Sequence, residues 1–194
     1  DPDTARAYIE AAITHLSPAA PLLAAVGGLS GSGKSTFSRA VAPSLGASPG
    51  AVILRTDEVR KRLLNVPPTQ VIGAENYAPA AYARTYDEMF ANAAVLLAAG
   101  RAVVLDASFL EPDLRHRAEA LARASGVPFH GAWLDAPAAV LEARVAGRSG
   151  DASDATVEVL RQQLARDLGP LDWARVDATA PTGRAGEAWL AGHR

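Results

Sequence analysis

Apolar positions along the chain fall into two periodicities. Short unbroken runs, Pro21 to Val26, Ala51 to Leu54, Val103 to Leu105, Phe129 to Leu134 and the weaker Trp173 to Val176, are strand-sized and read as buried strands. Between them apolar residues recur at helical spacing: Phe37, Val41 and Leu45 in one segment, and Tyr82, Tyr86, Phe90, Ala93 and Leu97 in another running from Ala80 to Ala99. Further helices are predicted over 58–64, 112–125, 137–146, 154–168 and 185–191. Pro112 suits a first turn, Asp154 a cap, and Gly46, Gly100 and Gly126 suit helix stops. Strands alternating with helices predict an α/β fold, a parallel sheet covered on both faces. In such a sheet ligands gather at the carboxyl ends of the strands.

Two segments stand apart. Asp3 to Leu16 reads as a helix with Tyr8, Ile9, Ala12, Ile13 and Leu16 on one face, ended by Ser17-Pro18. It either packs on the flank of the core or forms the tail of a linker from an upstream domain. Asn65 to Pro79 carries three prolines and a glycine. It is long for an irregular connection, and such loops are often functional.

Length and charge narrow the classes. The chain of 194 residues suits one domain over 1–194, with 1–20 as a linker candidate. A net charge of −2 points neither to nucleic acid nor to an acidic membrane face. With no cysteine there is no disulfide, thiolate chemistry or cysteine metal site. Apolar runs are too short to cross a bilayer and no signal peptide is visible, so a cytoplasmic location without membrane partners is expected.

The chemistry centres on Gly28-Leu29-Ser30-Gly31-Ser32-Gly33-Lys34-Ser35-Thr36, which fits G-x-x-x-x-G-K-[ST] between a predicted strand and a predicted helix. Its glycines let consecutive N–H groups point inward at an anion, and the helix N-terminus adds partial positive charge. Lys34 brings a mobile charge for the β- and γ-phosphates, and the Ser35 hydroxyl is a candidate Mg²⁺ ligand. Gly28, Ser30, Gly31, Ser32, Gly33, Lys34, Ser35 and Thr36 are therefore the expected nucleotide-binding residues, with ATP and Mg²⁺ as cofactors.

Acids follow the other strands. Asp57, with Arg60 one helical turn later, pairs a carboxylate that would orient and deprotonate a hydroxyl with an arginine that would grip an anionic part of the acceptor. Asp106 ends an apolar strand, where it would hold the magnesium shell; Asp135 is read as a structural cap. Arg144 and Arg148 lie four apart near Gly147 and Gly150, as arginines of a small lid closing over the nucleotide. Lys61 and Arg62 are read as solvated, and one of Arg115 and Arg117 as a weaker acceptor contact. His15, His116, His130 and His193 show no ligand spacing.

These strings, with Arg-Thr-Asp-Glu-Val-Arg at 55–60, Val-Val-Leu-Asp-Ala-Ser-Phe at 103–109 and Arg-Val-Ala-Gly-Arg at 144–148, resemble the P-loop kinases that include polynucleotide 5′-hydroxyl, adenylylsulfate, zeta-toxin-type and small-molecule kinases. The resemblance spans Leu22 to about Gln163. It is nearest to bacterial predicted kinases with an AAA_33-type domain, often fused behind an aminoglycoside-phosphotransferase-like domain. It implies a three-layer nucleoside-kinase-like fold with five parallel strands in order 2-3-1-4-5 and a lid. It also implies that Asp57 activates the acceptor, that Arg60 holds it, and that one of Arg144 and Arg148 lies near adenine and the other near the phosphates.

The expected activity is transfer of the γ-phosphate of ATP to a hydroxyl of a small molecule, with Lys34, Asp57 and Arg148 catalytic. Ser35 would bind magnesium directly and Asp106 through water. Since no broad basic stripe marks a nucleic-acid channel, a polynucleotide 5′-hydroxyl is the less favoured acceptor. From another class, a nucleotide-binding regulatory domain serving a fused phosphotransferase-like partner is the rival. A GTPase switch is disfavoured, because there is no N-K-x-D motif and Asp106 lacks a following switch glycine.

Overall fold

A computed structural model of the chain describes residues 1–16, 20–147 and 155–192. Strands β1 (Leu23–Gly28), β2 (Val52–Arg55), β3 (Val103–Asp106), β4 (Phe129–Asp135) and β5 (Ala174–Asp177) form one parallel sheet in the order β2-β3-β1-β4-β5. Every residue of β1 is buried, as expected for a central strand with helices on both faces. This is why its sequence is a continuous apolar run without alternation.

Successive side chains of the central strands feed two cores. Leu23, Ala25, Val103 and Leu105 face α4 (Pro79–Ala98) and α5 (Pro112–Ala124), meeting Tyr86, Met89, Phe90 and Ala118. Ala24, Val26 and Val104 face the opposite way, toward Phe37 and Val41 of α2 (Lys34–Val41) and Trp189 of α8 (Thr182–Ala191). The Phe37 and Trp189 rings meet edge to face with centroids 5.8 Å apart, within the favourable range for aromatic pairs. A third, small cluster joins Leu141 and Val145 of α6 (Ala138–Ala146) to Leu160 of α7 (Val157–Leu164).

The strand register sets the site. Val26 and Arg55 both pair with Asp106, so the ends of β1, β2 and β3 lie side by side. Helix α3 (Thr56–Leu63) starts directly after β2, which places Asp57 in its first turn rather than at a strand tip.

Several boundaries differ from the sequence expectation. Helix α7 stops at Leu164, and its cap is Thr156, whose hydroxyl accepts from the Val159 N–H at 3.3 Å. Beyond it, the carbonyls of Leu168 and Pro170 accept from Arg115 instead of continuing a helix. Within 65–79 a one-turn 3₁₀ helix, Ala74–Tyr77, shapes part of the loop. The helix α1 (Pro2–Leu16) does not bury its apolar face: Tyr8 is 75% exposed, Ile9 60% and Ile13 59%. Lys61 is a second correction, since it is buried and its Nζ donates to the Pro68 carbonyl at 3.0 Å, whereas Arg62 is exposed. Asp154, Gly150 and His193 lie outside the described residues.

Candidate active site

Gly28 closes β1, the loop runs through Gly33, and α2 begins at Lys34. Two glycines in the loop answer different demands. Gly31 has φ +82°, and a Cβ there would lie 2.6 Å from the Leu141 carbonyl, so neither the backbone nor the packing admits a side chain. Gly33, the residue before α2, has φ +85° with nothing within 4 Å, so only its backbone conformation requires glycine. The Lys34 ammonium donates to the Leu29 carbonyl at 2.9 Å, and the Ser30 N–H donates to the Gln163 side chain of α7 at 2.8 Å.

A cavity of about 770 Å³ opens in front of this loop. Ser30, Gly31, Gly33, Lys34, Ser35 and Thr36 line it from the loop side. Asp57, Arg60 and Asp106 line it from the ends of β2 and β3. A neighbouring cavity of about 440 Å³ lies between the loop and the β5–α8 connection, lined by Ser32, Arg144 and Ala178 among others. Arg144 donates to the Ala178 carbonyl at 2.9 Å. Gly28 stays in the sheet behind the loop, and Arg148, the other predicted lid arginine, lies outside the described residues.

Asp57 and Arg60 form an ion pair one turn apart on α3, Arg60 Nη1 to Asp57 Oδ1 at 3.0 Å. The guanidinium is buried and sits 4.4 Å from the centre of the Tyr77 ring. This contact is why the 3₁₀ turn in the irregular loop matters to the site: it supplies the aromatic face that covers Arg60. The pair fixes one carboxylate oxygen of Asp57 while the side chain still reaches the cavity.

Asp106 is buried beside Arg55, whose Nε lies 3.2 Å from Oδ2, and Arg55 also donates to Glu58 at 3.1 Å. Burial pushes the Asp106 carboxyl above its ordinary range; Lys34, a hydrogen bond from Ser35 and the Arg55 charge pull the other way. Its Oδ2 is buried against the Arg55 ion pair and accepts no well-aligned hydrogen bond. A buried carboxylate next to a serine hydroxyl is a hard-oxygen donor set of the kind Mg²⁺ takes alongside phosphate oxygens and water. Ser35 and Asp106 thus fit the ion.

The sequence reading missed the far wall of the cavity. Tyr82 of α4 donates to Glu111 Oε2 at 2.8 Å, and Arg166 Nη1 donates to Glu111 Oε1 at 2.6 Å. The Ser108 hydroxyl lies 3.4 Å from that of Tyr82 and 3.3 Å from that of Tyr86. Burial pushes both phenols up, so they remain neutral O–H groups. Between Ser108 and Glu111 the chain turns through Phe109, a buried aromatic residue with φ 49°. The turn is pinned from both sides: the Phe109 N–H donates to the Tyr86 hydroxyl at 3.1 Å, and its carbonyl accepts from Arg115 at 2.7 Å. Arg115 therefore faces four backbone carbonyls instead of an acceptor, while Arg117 lines the cavity and pairs with Asp87 at 2.6 Å. Asp135 is exposed and pairs with Arg175 at 2.9 Å, away from the cavity.

A parallel sheet in this order, with a glycine-rich phosphate loop after its central strand, is the fold shared with known small-molecule kinases. A gluconokinase from Sinorhizobium meliloti superposes with a TM-score of 0.56 at 24% identity, covering 89% of this chain and 93% of the other. The Mycobacterium tuberculosis APS kinase CysC, solved in complex with AMPPNP and APS, superposes with a TM-score of 0.61 at 19% identity, over 90% of this chain and 98% of the other. At these identities the likeness is one of fold. The chain belongs to the AAA_33 family of AAA domains, whose model matches residues 23–168. It is 34% identical over 190 residues to the uncharacterized protein Rv2004c of Mycobacterium tuberculosis; the match covers 92% of this chain and 36% of that protein. The chain thus spans about a third of the length of the curated relatives it matches.

Proposed function

We propose that the protein is an ATP- and Mg²⁺-dependent phosphotransferase that acts on a hydroxyl group of a small molecule. The observation that carries this reading is the shared cavity: Asp57, clamped by Arg60, opens into the same space as Lys34 and Ser35 of the phosphate loop. A carboxylate held by a buried arginine opposite a phosphate cradle is what transfer to an alcohol requires. A protein that merely senses a nucleotide has no use for an acceptor base.

In this reading the loop N–H groups and Lys34 hold the β- and γ-phosphates, Lys34 leaving the Leu29 carbonyl to do so. Ser35 and Asp106 hold the metal, which neutralises charge on the phosphate oxygens when bound. The base occupies the 440 Å³ cavity beside Arg144. Asp57 aligns the acceptor hydroxyl and accepts its proton as the oxygen bonds to the γ-phosphorus. The bond from that phosphorus to the bridging oxygen breaks, its electron pair stays on ADP, and the proton passes from Asp57 to solvent. Arg60 holds Asp57 in place through their ion pair; Arg148, expected from the sequence to stabilise charge on the transferred group, lies outside the described residues.

Transfer of label from γ-labelled ATP to a panel of sugars, nucleosides, amino alcohols and 5′-hydroxyl oligonucleotides tests the proposal. A labelled small-molecule product that disappears with Lys34→Ala is expected. Slow hydrolysis alone across the panel would contradict it, and labelling of the oligonucleotides alone would replace the acceptor class.

A further inference from the structure

We propose that the wall built by Tyr82, Ser108 and Glu111 recognises an uncharged polyhydroxylated acceptor, a sugar or cyclitol, by hydrogen bonding to hydroxyls adjacent to the one that reacts. The inference deepens the phosphotransfer reading and rests on it for the role of Asp57.

Three observations lead there. First, the wall is made of hydroxyls and a carboxylate: Tyr82, Ser108 and Glu111 line the 770 Å³ cavity that also holds Asp57. Glu111 accepts one hydrogen bond at each oxygen, from Tyr82 at 2.8 Å and from Arg166 at 2.6 Å. A carboxylate has about four acceptor sites, so each oxygen keeps capacity for one more O–H donor. Two oxygens fixed side by side match two adjacent hydroxyls of a ring. The tyrosines stay protonated, and Ser108 Oγ, between them at 3.4 and 3.3 Å, completes a relay that can reverse its donor direction to suit a bound hydroxyl.

Second, the positive charges facing this half of the cavity are already matched. Arg60 pairs with Asp57, Arg117 with Asp87 and Arg166 with Glu111. Each guanidinium keeps further N–H donors, but its charge is offset by its partner, and a phosphorylated or carboxylated acceptor would meet the Glu111 carboxylate as it entered. An uncharged polyol meets donors and acceptors without that cost.

Third, the wall is rigidly presented. Glu111 and Ser108 flank Phe109, whose left-handed φ of 49° costs free energy unless neighbours fix it. Tyr86 and Arg115 fix it, through its N–H at 3.1 Å and its carbonyl at 2.7 Å. Strain held in place beside a cavity fits a binding surface set before the ligand arrives.

The test measures binding apart from chemistry. The full chain, loaded with Mg²⁺ and a non-hydrolysable ATP analogue, is titrated by calorimetry and saturation-transfer NMR with unphosphorylated hexoses, pentoses and cyclitols. Cyclohexanol, D-gluconate and glucose 6-phosphate serve as contrasts. We expect a polyol to bind at least about tenfold tighter than cyclohexanol or the anionic contrasts. Glu111→Gln and Tyr82→Phe should each weaken that polyol by about tenfold while the affinity for the ATP analogue stays the same. Tyr82→Phe removes one oxygen from a half-buried ring, so it reports even if the carboxylate change unsettles the Phe109 turn. If no polyol binds, if binding is indifferent to both substitutions, or if the anionic compounds bind better, the proposal is overturned. A polyol that binds in the expected way yet never receives phosphate would support this proposal and overturn the phosphotransfer reading.

Discussion

Phe109 and Arg115 never reach an acceptor, yet the far wall of the cavity depends on them. Phe109 is wholly buried in the left-handed region, a conformation that costs a side-chain-bearing residue about 1 kcal/mol or more. Arg115 answers with hydrogen bonds to the carbonyls of Phe109, Leu110, Leu168 and Pro170. Replacing it leaves buried carbonyls without a donor, so Arg115→Met should lower stability by about 3 kcal/mol in urea unfolding. Arg117→Met, which breaks a pair whose side chains are 45% and 62% exposed, should cost less than about 1 kcal/mol. Equal costs would mean that Arg115 does not hold the turn. That Lys34, Asp57 and Asp106 meet at one cavity was legible in the sequence, because the phosphate loop has a fixed spacing and acids that follow parallel strands gather at one edge of the sheet. Tyr82, Glu111 and Arg166 were not: they meet from positions 29 and 55 residues apart, and Tyr82 shares a helical stripe with core residues. Lys61 was misread for a similar reason, since its partner carbonyl belongs to a loop without periodicity.

At the scale of elements, the strands and the long helix α4 follow from their apolar periodicity to within a residue or two. Helix α7 ends at Leu164, short of its pattern, and the carbonyls of Leu168 and Pro170 beyond it accept from Arg115. The helix that remains is held to the phosphate loop by Gln163, whose side chain accepts from the Ser30 N–H. Helix α1 shows the converse: a clear amphipathic stripe was legible, but a stripe does not name what covers it. With Tyr8, Ile9 and Ile13 exposed, α1 adds little to the core. Removing residues 1–19 should change urea stability by less than about 0.5 kcal/mol and leave nucleotide affinity unaltered. A loss of several kcal/mol would show that α1 packs on the domain in solution.

For the whole molecule, the parallel sheet is what assembles the site. Two cores on opposite faces fix five strands, and the register of β1, β2 and β3 sets the phosphate loop, Asp57 and Asp106 beside one another. The α/β class was legible from alternation alone. The strand order was not, because periodicity says which residues are buried but not which strands are neighbours; it came from the resemblance of the motifs to P-loop kinases. The far wall of the cavity was the least legible, since it combines an irregular loop, a strained turn and three helices.

In the proposed mechanism Asp57 takes the acceptor's proton in a cavity whose nucleotide half works independently of it. The most direct test is Asp57→Asn, measured by single-turnover transfer from γ-labelled ATP to an acceptor found with the wild type, alongside calorimetry of ATP binding. A loss of transfer of about 10² to 10⁴-fold with ATP affinity unchanged is expected. Transfer within a few-fold of wild type, or parallel loss of ATP binding, would contradict it.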